Sequence, residues 1–129
     1  MNIGEISKRA DLPVKTVRYY ADVGLVKPSG RTEAGYRIYD DKTLRKLIFV
    51  RRARAMGFSV EECRKLLGLF EDQSRASSEV RNIAKQHLLE VDAKLAELKN
   101  LQKELSLLVR SCNGDDRPDC PILDALDRG

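Results

Sequence analysis

The stretch from Ser78 to Ser111 contains neither proline nor glycine, and it limits the possible folds more than any other part of the chain. Within it Leu88, Val91, Leu95, Leu98, Gln102, Leu105 and Val109 recur at alternating spacings of three and four. That is the seam of a coiled coil, with Gln102 as its single polar knob. A helix of this length spans roughly 50 Å, too long to be covered by the small remainder of the chain. A partner helix has to cover the seam, and a second copy is the simplest source. A homodimer is therefore expected, with the heptads leaving parallel and antiparallel pairing open.

Ahead of the seam, Ile3, Ile6 and Ala10 share one face of a short helix beginning near Asn2. Asp11-Leu12-Pro13 reads as a turn, with Pro13 as the first residue of a second helix over Val14 to Val23. Gly24 is suited to stop it. These two helices have the dimensions of a helix-turn-helix. The segment punctuated by Pro28, Gly30 and Gly35 and ending Tyr36-Arg37-Ile38-Tyr39 predicts a small hairpin, a wing, turning near Thr32-Glu33-Ala34-Gly35. Asp40 or Asp41 caps a helix to about Met56, stopped by Gly57. Ser59 and Glu62 form a capping box for a further helix, Val60 to Phe70. The expected organisation is a mainly α chain: a winged helix-turn-helix with a second helical pair over 1–70, a linker over 71–77, a dimerisation helix over 78–111, and a loop with a short helix over 112–129. In that last segment Ile122, Leu123 and Leu126 suit a two-turn helix that packs back on the protein.

Charge divides the chain. Residues 1–54 carry 13 Lys/Arg and 6 Asp/Glu, a net of +7, whereas residues 55–129 carry 11 and 14, a net of −3. A basic front half is the electrostatic footprint of phosphate contacts. On the second helix Lys15, Arg18, Tyr19 and Asp22 share a face, while Val14, Val17 and Ala21 face inward. Lys15, Thr16, Arg18, Tyr19 and Tyr20 are the candidate DNA contacts there, and Arg31, Tyr36 and Arg37 on the wing add donors for the backbone. A solvated basic helix beside a hairpin whose tyrosines pack on the core is the competing reading. With 34% charged residues, 5% aromatic and no Trp, the composition suits a helical, DNA-facing chain better than a β-sandwich.

The three cysteines fall into two groups. Cys63 stands with Leu66, Leu67 and Phe70 on an apolar face and reads as a core thiol. Cys112 and Cys120 flank a polar loop instead. Two thiolates do not make a structural zinc site, which takes four Cys or His ligands. His87, the sole histidine, flanks the seam and reads as a solvated or packed helix residue. Two thiolates suit a monovalent d10 ion, because soft sulfur selects Cu(I) and its congeners Ag(I) and Au(I). Such a site keeps a net −1 and calls for a positive surrounding such as a helix N-terminus. A divalent ion would be neutralised by the same pair and would seek further ligands. A redox disulfide across the loop is the alternative.

The chain resembles the MerR family of transcriptional regulators along essentially its whole length, most closely the copper-efflux-regulator (CueR-like) branch. The family-specific residues are Met1-Asn2-Ile3-Gly4, Val17-Arg18-Tyr19-Tyr20 with Gly24-Leu25, Gly35-Tyr36-Arg37-Ile38-Tyr39, and Arg51-Arg52-Ala53-Arg54 with Gly57-Phe58-Ser59. The loop from Cys112 to Cys120, followed by Pro121-Ile122, carries the branch. The resemblance implies a winged-helix homodimer with an antiparallel coiled coil, each metal loop lying close to the partner's dimerisation helix. It adds Arg54 to the DNA contacts. It also implies that Ser77 sits where divalent-metal members place a third cysteine, which leaves two sulfurs and a monovalent ion. Ser77, Ser78 and Arg81 would then surround the site; a Lys is common at position 81, and Arg81 keeps the charge with more bulk.

By this resemblance the regulator binds double-stranded promoter DNA with or without metal. Metal then distorts the operator so that RNA polymerase can use promoter elements otherwise out of phase, with copper-efflux genes as the implied targets, and the deformation energy contributes to specificity. The ion must prefer the activating conformer for any shift to occur. Competing functions are a thiol redox regulator, a sensor of a divalent soft metal such as Hg(II) or Cd(II), and a copper-sequestering protein. Catalysis is not expected, since no nucleophile–base pair, phosphate loop or carboxylate dyad is found. No apolar run reaches membrane-spanning length, and the N-terminus lacks signal-peptide regions, so a cytoplasmic protein is expected with no disulfide framework.

Overall fold

The computed structural model describes residues 1–128. Its elements in chain order are α1 (Ile3–Ala10), α2 (Val14–Asp22), β1 (Gly30–Arg31), β2 (Arg37–Ile38), α3 (Asp41–Ala55), α4 (Val60–Glu71), α5 (Ser77–Ser111) and α6 (Pro121–Asp127). This is a mainly α-helical fold with a β-hairpin wing, a helix-turn-helix, one long helix and a short C-terminal helix. The chain divides into two compact units, Met1–Ile83 and the residues from Ala84 onward.

In the first unit the helix starts follow from capping chemistry. Asn2 accepts from the Glu5 amide at 2.8 Å while Glu5 Oε1 accepts from the Asn2 amide at 3.3 Å, which satisfies donors that α1 would otherwise leave orphaned. Ser59 and Glu62 repeat the device at α4, and Asp40 caps α3 through the Thr43 amide. Pro13 is the N-cap of α2 rather than its first helical residue: its ψ of 146° is extended, and it supplies no side-chain cap. Asp11, in the left-handed region at φ 56°, and Gly24, at φ 74°, end α1 and α2. The glycine at position 24 takes that conformation without the Cβ penalty of other residues.

The core of this unit joins Ile6 and Ala10 of α1, Val17 and Tyr20 of α2, Leu47 and Val50 of α3, and Cys63 and Leu67 of α4, closed by Val26, Tyr39 and Phe58. Tyr20 is part of this core because Val17, Tyr20 and Ala21 lie at i, i+3 and i+4, one inward stripe of the helix. Val14, expected on that inner face, is exposed. The wing is antiparallel, with Gly30 opposite Ile38 and Arg31 opposite Arg37. Gly35, at φ 89°, makes the turn possible.

In the second unit, Leu88, Val91, Leu95, Leu98, Leu105 and Val109 all stand exposed along α5, Leu98 at 62% of its surface. Such a row of solvated leucines is uncommon on a monomeric surface. Pro121 opens α6, where its missing N–H costs nothing. Leu123 and Leu126 remain exposed, whereas Pro121 and Ile122 at the start of α6 are half-buried. Among the described residues no helix is long and apolar enough to cross a membrane.

Candidate nucleic-acid interface and metal ligands

The start of α1, helix α2 and the wing enclose a cleft of about 780 Å³, lined by Asn2, Arg18, Asp22, Arg31, Tyr36 and Arg37 among others. Helical periodicity puts Lys15, Arg18 and Tyr19 on the solvent side of α2, with Tyr19 half exposed and Thr16 partly covered. Hairpin bonding aims the wing: Arg31 Nη1 donates to Gly35 O at 3.1 Å, and the Tyr36 amide donates to Thr32 Oγ1 at 3.1 Å. Tyr36 is left 73% exposed at the tip. Arg37 donates through Nη2 to Asp22 Oδ1 at 2.8 Å. That bond raises the guanidinium's pKa above its ordinary value, so Arg37 stays cationic.

Of the sequence-predicted DNA contacts, the structure gathers Arg18, Arg31, Tyr36 and Arg37 around one cleft. Lys15, Thr16 and Tyr19 lie on the adjoining helix. Tyr20 is withdrawn into the core at 6% exposure. Arg54 is on α3, where its Nη1 donates to Phe58 O at 2.9 Å and steadies the α3–α4 turn. Cys63 is fully buried, and burial pushes its thiol up, which makes it an inert core residue.

Cys112 and Cys120 are free, half-buried thiols. Cys112 follows α5 directly, its amide bonding Leu108 O at 3.1 Å, and Cys120 is the N-cap of α6 without a side-chain cap bond. The loop between them is braced by Arg117, whose Nε and Nη2 reach Asp115 Oδ2 at 2.9 and 2.8 Å. This fork holds the Asp115 carboxyl below its ordinary range. Ser77 and Arg81 are exposed in the first turns of α5.

The expectation of a two-thiolate site for Cu(I), Ag(I) or Au(I) at Cys112 and Cys120 is corrected here. Within the second unit the candidate ion ligands among the described residues are an imidazole and a carboxylate of α5, His87 and Glu90, with no cysteine beside them. His87 Nδ1 lies 3.6 Å from Glu90 Oε2 one turn along α5, and His87 is 7% exposed, so of the solvated and packed readings the structure gives the packed one. Nitrogen and oxygen donors suit divalent ions, not a monovalent soft one. A His followed three residues later by Glu on a charged helix is a common pattern and carries no signal of its own in sequence. The burial that distinguishes it is not visible in sequence.

Comparison with known proteins places these features in context. The family model described as MerR HTH family regulatory protein matches residues 1–69, and that described as MerR, DNA binding matches residues 44–108. The chain is 54% identical to the HTH-type transcriptional regulator HmrR of Rhizobium leguminosarum bv. viciae, covering 100% of this chain and 99% of the relative. It is 41% identical to the HTH-type transcriptional regulator CueR of Salmonella typhimurium, covering 98% and 91%. Among solved structures, PbrR691 of Ralstonia metallidurans CH34 in complex with lead(II) superposes with a TM-score of 0.81 at 39% identity, covering 98% of each chain. MerR of Bacillus megaterium MB1 in complex with mercury(II) superposes with a TM-score of 0.69 at 29% identity, covering 98% and 99%. These similarities spread over several kinds of heavy-metal regulator, and the copper-efflux branch does not stand out among them.

Proposed function

Because the chain belongs to the MerR family of HTH transcriptional regulators, we propose that it is a metal-responsive regulator whose inducer is a divalent heavy-metal ion. A DNA-binding regulator is not an enzyme, and the residues are arranged for recognition. The observation that carries the DNA-binding part is the cleft on which Arg18, Arg31, Tyr36 and Arg37 converge. From it, Lys15, Thr16, Arg18 and Tyr19 read or grip promoter DNA, and the wing residues hold the flanking backbone. Arg54 contributes from α3 with the donors it does not spend on Phe58. Tyr20 supports the helix from within.

In this reading two copies join through the seam from Leu88 to Val109, which covers the leucines exposed on α5. The dimer acts on the promoter together with RNA polymerase. A two-fold dimer sets two reading heads on one duplex, as half-sites require.

Support for a divalent inducer comes from the full-length likeness to the regulators solved with lead(II) and mercury(II) and from the imidazole and carboxylate donors of α5. Cys112 and Cys120 are the thiolates proposed to hold the ion, with Ser77 and Arg81 of the second copy in the antiparallel dimer as its surroundings. Two thiolates neutralise a divalent ion and leave it wanting a further donor. When bound, the ion would draw both ends of the 112–120 loop together and so order α6. A second reading puts the ion at His87 and Glu90. From His87 to the end of α5 is about 36 Å at helical rise, so within one chain the two donor sets cannot share an ion. X-ray absorption on protein loaded with Hg(II) separates them. Sulfur neighbours that disappear in Cys112→Ser support the thiolate site; a nitrogen and oxygen shell that disappears in His87→Gln replaces it with the second reading.

A further inference from the structure

The C-terminal end of α2 is held from two sides. On the wing side, Asp22, its last residue, pairs with Arg37. On the other side, Arg64 of α4 spans about forty residues of sequence to place Nη2 2.9 Å from Val23 O and Nη1 3.2 Å from Gly24 O. Val23 is the C-cap of α2 and Gly24 the residue after it, so the fork of Arg64 lands on the C-cap carbonyl and on the next one beyond the helix. The C-cap carbonyl belongs to the negative end of the helix dipole. A planar guanidinium satisfies two carbonyls at a fixed angle, which an ammonium cannot do. Glu61 Oε1, 3.4 Å from Arg64 Nη2, steadies the fork one turn earlier on α4. Arg64 is turned inward onto backbone, and both carbonyls it reaches lie about forty residues away in sequence.

We propose that Arg64 is a positioning residue for DNA recognition, clamping the end of α2 so that Lys15, Arg18 and Tyr19 are held ready for the duplex. This rests on the DNA-binding reading above. Arg64 touches no phosphate in this arrangement: it acts by sparing the cost of fixing α2 on binding. A phosphate contact and a positioning contact leave different marks. The slope of log affinity against log salt counts phosphates neutralised in the complex. Removing a clamp weakens binding at every salt concentration while the same phosphates are neutralised.

The test compares Arg64→Met, Arg64→Lys and Arg18→Met on a duplex selected from a random pool by the parent protein. Arg64→Met is expected to bind about tenfold more weakly with an unchanged salt slope, and Arg64→Lys to recover part of the loss. Arg18→Met should lower both affinity and slope, the slope by about one unit. Unaltered affinity in folded Arg64→Met, or a slope lowered by one unit, overturns the proposal. If Arg64→Met does not fold, Arg64→Lys decides: loss of affinity at constant slope supports the clamp, and parental affinity overturns it. Failure of the parent to select any duplex would instead strike the DNA-binding reading itself.

Discussion

Arg37 of the wing and Asp22 at the end of α2 are joined at 2.8 Å, so the two parts of the cleft proposed to face DNA are fastened to one another by an ion pair. Asp22 holds Arg37 in place but also neutralises it. Arg37→Ala should therefore lose affinity and lower the salt slope by about one unit. Asp22→Ala should leave the slope intact or raise it while loosening the wing. Mobility shifts over a salt series check both; identical affinity and slope for Arg37→Ala and the parent would show that the wing does not grip the backbone.

Leu98→Asp should dissociate the dimer. Leu98 is largely exposed in the single chain, so the change is tolerated by the monomer, but in a closed seam it buries an unpaired charge at a cost of several kcal/mol. Sedimentation should show monomers with native helix content, and these monomers should lose high-affinity operator binding. A dimer of undiminished stability would move the interface away from this stripe.

The first unit should answer to its caps and core in a graded way. Ser59→Ala removes the Oγ that accepts from the Glu62 amide and should cost about 1 kcal/mol. Leu47→Ala, at a fully buried position, should cost roughly 2–5 kcal/mol. Denaturant titration that ranked the two in reverse order would contradict the assigned core.

Much of this arrangement was legible in sequence because it is local. Ser59-x-x-Glu62, Gly24 and Gly35 each report a backbone need confined to a few residues, and the 3-4 recurrence from Leu88 to Val109 marks a stripe whatever lies elsewhere. What was not legible depends on contacts between distant residues. Tyr20 reads as a polar-tipped contact until Leu25, Val26 and Tyr39 close over the core it joins. Arg64 looks like one more cation on a charged helix until α4 brings it to Val23. The thiols Cys112 and Cys120 stand out by spacing alone, whereas the burial of His87 comes from the fold. Sequence chemistry thus pointed to a monovalent ion where the structure and its relatives support a divalent one.

Acid should weaken the first unit through Asp40. The Thr43 amide and hydroxyl hold its carboxyl below the ordinary value. A carboxylate depressed in the folded state stabilises it above the unfolded pKa, about 3.9. That contribution disappears as pH falls through the lower folded value. Asp40→Asn, which keeps the cap without the charge, should flatten the decline in thermal stability below about pH 4. An unchanged acid profile would assign the decline to other carboxylates.

The identity of the inducer tests the account most directly. Purified protein, its promoter duplex and RNA polymerase can be titrated with Hg(II), Cd(II) and Pb(II), and separately with Cu(I) and Ag(I) under anaerobic conditions, with transcript yield as the readout. The account predicts that one or more divalent ions raises the yield at lower free concentration than either monovalent ion. Induction by Cu(I) and Ag(I) with no response to any of the three divalent ions would contradict it.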